Sequence, residues 1–204
     1  LTAYNKQTED LILWKNFREG DENAYTELTR RHYKSLLHYG KKFTCNIQLA
    51  EDALQDLLIH LWLYRKNLSD TPSIKSYLLK SFRHQLIKAI QAQQTETSLS
   101  DQSDLHYPEF PFEETWIQTE RDHQIKSHIA HLMDQLPPRQ KEVIYLRFFQ
   151  ALKPEEISGI LEINPQSVNN ILQRALAKLR SSSQTINYYY AYLLIIPNFI
   201  MNLN

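Results

Sequence analysis

Glycine is scarce in this chain, three in 204 residues, and that shortage argues against strand-and-turn architectures, whose tight turns need residues that tolerate positive φ. Cysteine is scarcer still. Cys45 stands alone, so no internal disulfide can form and a disulfide-stapled secreted domain is excluded. There is no glycine-rich phosphate loop and no nucleophile in a recognisable motif, which leaves an enzymatic reading little to stand on. His123, His128 and His131 include an i, i+3 pair, but no cysteine or carboxylate completes a zinc pattern around them. No catalytic residue, metal, cofactor or small-molecule substrate is therefore expected. No amino-terminal stretch shows the basic, apolar and small-residue succession of a signal peptide, so a cytoplasmic protein is expected.

Net charge is also missing: 23 Lys and Arg balance 23 Asp and Glu. Zero charge is unusual for a protein that binds nucleic acid, where phosphate neutralisation supplies much of the affinity. The balance conceals a partition. Residues 1–94 carry 14 cations against 10 acids, residues 95–125 carry 1 against 8, and residues 126–204 carry 8 against 5. Two mildly basic lobes thus flank an acidic connector, too poor in apolar residues to fold alone and read here as an extended linker.

What is present is helical periodicity. Residues 136–180 read as a helix-turn-helix. A first helix over 154–161 places Ile157, Ile160 and Leu161 inward, and Glu162, Ile163 and Asn164 make a tight connection. Asn164 is the expected N-cap of a second helix, with Pro165 at its first position, where a missing N–H costs nothing. Val168, Ile171, Leu172, Ala175, Leu176 and Leu179 form one apolar stripe. Gln166, Ser167, Asn169, Asn170, Gln173, Arg174 and Lys178 form the other face, with groups suited to base edges and phosphates. Taken alone, this pattern also fits an ordinary helical hairpin with a solvated polar face.

In the amino-terminal lobe, residues 49–64 show the strongest stripe, Ala50, Ala53, Leu54, Leu57, Leu58, Leu61 and Trp62, with Glu51, Asp52, Gln55 and Asp56 on the polar side. A helix is predicted before it over 23–43, with Asp21 as cap and Ala24, Leu28, Leu36 and Leu37 for the core. Another is predicted over 74–92, after a break at Pro72. That last helix carries Lys75, Lys80, Arg83, His84 and Lys88 interleaved with Tyr77 and Phe82, a combination of cations and rings suited to single-stranded DNA, though a basic amphipathic helix is also commonly just a solvated face. The fold class expected is all-α: two small helical domains, 8–94 and 123–183, joined by an acidic linker over 95–122 and followed by an apolar appendage over 184–204.

Three segments in this order, AEDALQDLLIHLW, SIKSYLLKSFRHQLIKAI and LPPRQKEVIYLRFF…EEISGIL…SVNNILQRALAKLR, resemble the bacterial sigma-70 family, and within it the small two-domain extracytoplasmic-function (ECF) sigma factors. The resemblance covers about residues 8–182. It implies that Asp52, Gln55, Asp56 and Leu58 lie on the surface that docks on core RNA polymerase, a partner with beta and beta-prime subunits. It implies that Tyr77, Lys80, Arg83, His84 and Lys88 serve opening of the minus-ten element, and that the second helix of the helix-turn-helix reads the minus-thirty-five element of promoter DNA. The acidic connector would thread through the polymerase and occupy a channel built for nucleic-acid phosphates.

The departures from the family pattern sit at DNA-facing positions. His84 stands where relatives usually have an Asn associated with capture of a flipped base, and Tyr77 where they have Trp. Lys88 and the neutral run AIQAQQ replace a basic cluster, and Asn169 and Ile171 replace cations. Weak promoter binding by the isolated chain is expected, with an altered promoter sequence or help from a second DNA-targeting factor. The appendage NYYYAYLLIIPNFIMNLN, with about 14 mostly apolar residues broken by Pro197, falls short of the roughly 20 a membrane span needs. It is expected to fold back on its own domain or to cover a partner, such as polymerase, an anti-sigma protein or a DNA-targeting accessory factor, with contact to a membrane surface as a third alternative. A monomer is expected outside the holoenzyme. The competing reading is a helix-turn-helix regulator that acts without joining polymerase.

Overall fold

The computed structural model describes residues 2–44, 46–97 and 131–182, and the chain divides into two units between Pro108 and Glu109. Every regular element among the described residues is helical. The first unit contains α1 (Thr2–Glu19), α2 (Glu22–Gly40), α3 (Ile47–Leu63), a short 3-10 turn (Arg65–Asn67) and α4 (Ile74–Thr97). The second contains residues 131–134 as helix, then α5 (Pro138–Ile144) running into a π turn (Tyr145–Phe149), α6 (Pro154–Leu161) and α7 (Pro165–Ser182). The expected linker beyond Thr97 and the appendage fall outside the described residues, as do His123 and His128.

Local chemistry explains the breaks. α1 stops at Gly20, whose φ of 104° lets the chain reverse while Gly20 N–H donates to Phe17 O and Asp21 N–H to Asn16 O. Asp21 then caps α2 as expected, its carboxylate accepting from Asn23 N–H at 2.8 Å and Ala24 N–H at 3.2 Å. α2 ends at Gly40, three residues before the predicted limit. Asn46 caps α3 by accepting from Leu49 N–H.

Between the helices of the first unit lies an apolar core that includes Trp14, Phe17, Leu28, Leu36, Tyr39, Leu54, Leu57, Leu79, Phe82 and Leu86. The predicted stripe of α3 largely holds, with Ala50, Ala53, Leu54, Leu57 and Leu61 buried and Leu58 and Trp62 at its half-buried edge. Leu37 of α2, expected in the core, is also only half-buried. α4 extends five residues past the predicted end because QAQQTET lacks an apolar stripe yet consists largely of residues a helix tolerates well.

α1 has no counterpart in the sequence reading. Its inward face mixes Asp10, Trp14 and Phe17, while Leu11 and Ile12 point to solvent, so the hydrophobic periodicity is broken. A polar cluster fastens α1 to α2. Arg31 reaches Asp10 at 2.9 Å, Glu27 at 2.7 Å and Glu9 at 3.2 Å, and His32 Nε2 lies 3.2 Å from Asp10. Burial pushes the Asp10 carboxyl up, but His32 and Arg31 outweigh it and hold it below its ordinary value. Hydrogen bonds from Arg30 and Arg31 draw Glu27 down to about 2.

Candidate nucleic-acid interface

α7 is built as its sequence predicts. Asn164 Oδ1 accepts from Ser167 N–H at 2.7 Å, and Val168, Leu172 and Ala175 are buried against α5 and α6. Ile171, Leu176 and Leu179 flank that stripe half-buried. Gln166, Asn169, Asn170, Gln173, Arg174 and Lys178 are exposed, and Ser167 is half-buried. The Gln166 amide donates to Asn170 Oδ1 at 3.3 Å, an i, i+4 link that orders two of the candidate base-reading side chains. Lys178 differs from the rest, since its ammonium donates to the Gln135 carbonyl.

Several cations of this unit hold the helix-turn-helix together. Arg139 donates to Leu161 O at 3.0 Å, satisfying a carbonyl at the end of α6, and lies 3.6 Å from Glu142. Arg147 donates to Leu152 O at 2.9 Å, and Lys141 pairs with Asp134 at 3.0 Å. The two connections carry left-handed backbone, Ala151 at φ 53° and Glu162 at φ 55°, where L residues are disfavoured. Burial raises the Tyr145 phenol above its usual range, and Gln150 donates to its oxygen at 2.9 Å, so this buried hydroxyl is satisfied internally.

The face of α4 corrects the sequence reading in two places. Phe82 is completely buried and Arg83 is 7% exposed, because positions 79, 82, 83 and 86 share the core stripe. Neither is presented to solvent, so of the two rings only Tyr77 is left beside the outward cations. Tyr77 is half-buried, its ring edge-on to Trp14 at 5.2 Å. Lys80 is half-buried, and His84 and Lys88 are exposed. Tyr77, Lys80, His84 and Lys88 follow one another at i, i+3 and i+4 steps and make a single outward stripe.

On α3, Asp52, Gln55 and Asp56 are exposed together, and Gln48 donates to Asp52 at 2.8 Å. Leu58 stands apart on the inner edge; Tyr25 donates to its carbonyl at 3.0 Å. The sequence reading missed the continuation of this face. Ile59 is 55% and Leu63 64% exposed, and 52, 55/56, 59 and 63 run along one side of the helix. Both residues fall outside the buried stripe, which was the signal that could have found them. Among the described residues no group of three or more His, Cys, Asp or Glu could hold a metal ion. His131 is exposed against Gln135.

Two family models match the chain: Sigma-70 region 2 at residues 28–96 and Sigma-70, region 4 at residues 128–179. The RNA polymerase sigma factor YlaC of Bacillus subtilis (strain 168) is 26% identical over 167 residues, which cover 78% of this chain and 92% of that protein. The fold is similar to the solved structure of CnrH in complex with the cytosolic domain of CnrY, with a TM-score of 0.57 at 17% identity over 84% of this chain and 95% of that one. It is also similar to the sigma factor RpoE in complex with the anti-sigma factor NepR from Bartonella quintana, with a TM-score of 0.54 at 16% identity over 79% and 96%. Both sigma-70 regions are therefore present, in order and one in each unit, and the chain belongs to the sigma-70 family as an ECF-type RNA polymerase sigma factor.

Proposed function

We propose that the chain joins core RNA polymerase, brings it to specific promoters and helps nucleate strand opening, working by binding while the polymerase performs the chemistry. The observation that carries this reading is the pairing of the two family regions with two separate exposed faces, acidic on α3 and amide-rich on α7. A regulator acting without polymerase needs only the second. The α3 face, Asp52, Gln55 and Asp56 followed by Ile59 and Leu63, docks on the polymerase: the carboxylates meet basic groups there and the aliphatic pair adds apolar contact. Leu58 supports this face from inside.

The α4 stripe, Tyr77, Lys80, His84 and Lys88, meets the minus-ten region, and Arg83 acts from beneath it. On α7, Gln166, Asn169, Asn170, Gln173 and Arg174 read the minus-thirty-five region, with Ser167 and Lys178 at the margins. Arg174 and Lys178 are the only cations among the seven candidate residues, and Lys178 is already engaged by Gln135, so upstream recognition is weak in phosphate contacts. An anti-sigma protein is a fitting partner for a chain of this fold, and the cytoplasm is the place of action.

The deciding experiment is a pull-down of the full chain with core polymerase. Asp56→Arg combined with Gln55→Ala should abolish capture while circular dichroism stays unchanged, since both positions are exposed. Normal core affinity in that variant would remove α3 from the interface. Failure of the unaltered chain to bind core while it binds duplex DNA alone would favour the independent regulator.

A further inference from the structure

α1, the helix that hydrophobic periodicity passes over, holds the segment leading into α4. Trp14 and Arg18 lie one turn apart on α1 and reach successive residues of that segment. The Trp14 indole N–H donates to Ser69 O at 3.2 Å, and Arg18 pairs with the Asp70 carboxylate. Trp14 makes a third contact beyond the segment, through its T-shaped packing on Tyr77 in the first turn of α4. The indole is 2% exposed, whereas the Asp70 side chain is 90% exposed, so a buried anchor and a surface anchor act on neighbouring positions.

The held segment, residues 68–73, leads from the 3-10 turn into α4, and at its start Leu68 N–H donates to Arg65 O at 3.3 Å. It has no helix of its own, and Pro72 has no N–H to donate. Its own links are short-range: Thr71 Oγ1 donates to Ser73 O at 3.3 Å, and Ser73 Oγ accepts from Ser76 N–H at 3.3 Å as the local start of α4. These set turn geometry, and the two α1 side chains add anchors from 55 and 52 residues away in the chain. A loop ordered before it meets a ligand avoids the ordering cost that a free loop would pay on binding.

We propose that α1 is a brace for strand opening, with Trp14 and Arg18 as positioning residues that hold segment 68–73 and the first turn of α4 so that Tyr77, Lys80 and His84 are aimed together at the DNA. The inference rests on the reading of α4 as the minus-ten element helix.

The test uses the full chain in two measurements. Hydrogen exchange on the chain alone should show faster exchange at the amides of 69–77 in Trp14→Phe, which keeps a ring but removes the indole N–H, by a larger factor than at α2 and α3. The second measurement uses holoenzyme and a template pool randomised across the promoter, read by permanganate reactivity of opened thymines and by transcript sequencing. Trp14→Phe and Asp70→Arg should each lower opening about fivefold, the weight of one net hydrogen bond, while core affinity stays within about twofold. The exchanged pair Arg18→Asp with Asp70→Arg should recover most of the loss.

Unchanged exchange at 69–77 would overturn the brace, as would faster exchange without any loss of opening. Equal opening by Asp70→Arg with and without Arg18→Asp would also overturn it, because the arginine would then be acting on DNA and not through Arg18. If the unaltered holoenzyme opens no template, the reading of α4 fails, and the exchange result separates that failure from failure of the brace.

Discussion

At Gly40 a methyl group would come within 2.8 Å of the Phe82 ring and 3.3 Å of Ala50 Cβ, where α2 crosses α3 and α4. Phe82 is completely buried and has no open space to retreat into. Gly40→Ala should therefore lower stability by about 1–2 kcal/mol despite alanine's better helix propensity, read as an earlier midpoint in urea with unchanged slope. The α1–α2 cluster makes a second prediction. Asp10 and Glu27 both have depressed carboxyl values, so the stability they contribute is fully present above their ordinary values of 3.8 and 4.5. It is lost as pH falls from there toward about 2, where Glu27 titrates when folded. Acid titration followed by circular dichroism should show this limb, and Arg31→Met should flatten it. Residue type misled the sequence reading at Phe82 and Arg83: a ring beside a cation suggests a nucleic-acid contact, but helical register puts both in the core.

Elements were legible where an apolar stripe and a cap coincide. α6 begins and ends at its predicted residues, and α7 starts at Pro165 behind Asn164. The Asn164 side chain is exposed and accepts from Ser167 N–H, so Asn164→Ala should cost about 1 kcal/mol and loosen the first turn of α7, where Gln166 and Asn169 sit. Promoter output should fall with core affinity unchanged; equal loss of both would place the effect on global folding. α1 was illegible because its inward face contains a carboxylate that becomes acceptable only beside Arg31 and His32, which lie on another helix. The apolar end of the α3 face was overlooked although Ile59 and Leu63 lie outside the predicted stripe, because single exposed apolar residues are common on protein surfaces and do not by themselves mark a contact face.

Across the whole molecule, neutral overall charge and few outward cations on α7 limit what the chain can do on DNA alone. With two or three phosphate contacts, the slope of log affinity against log salt for the isolated chain on duplex DNA should be about −2 to −3. Holoenzyme should show a steeper slope and far tighter binding. A slope as steep for the isolated chain would mean that further cations reach the DNA. The division into two units, each with its own core and each matching one family region, agrees with the opposed charge of the lobes and connector.

Composition and periodicity by themselves determined the all-helical class, the capped helix-turn-helix and the acidic and amide faces on α3 and α7, because helix propensity, caps and stripes act over a few neighbouring residues. Only the tertiary structure decided that Lys178 is held by Gln135 and that α1 exists as a helix gripping Ser69, Asp70 and Tyr77. Each of these depends on contacts between residues far apart in the chain, and no local pattern carries that information.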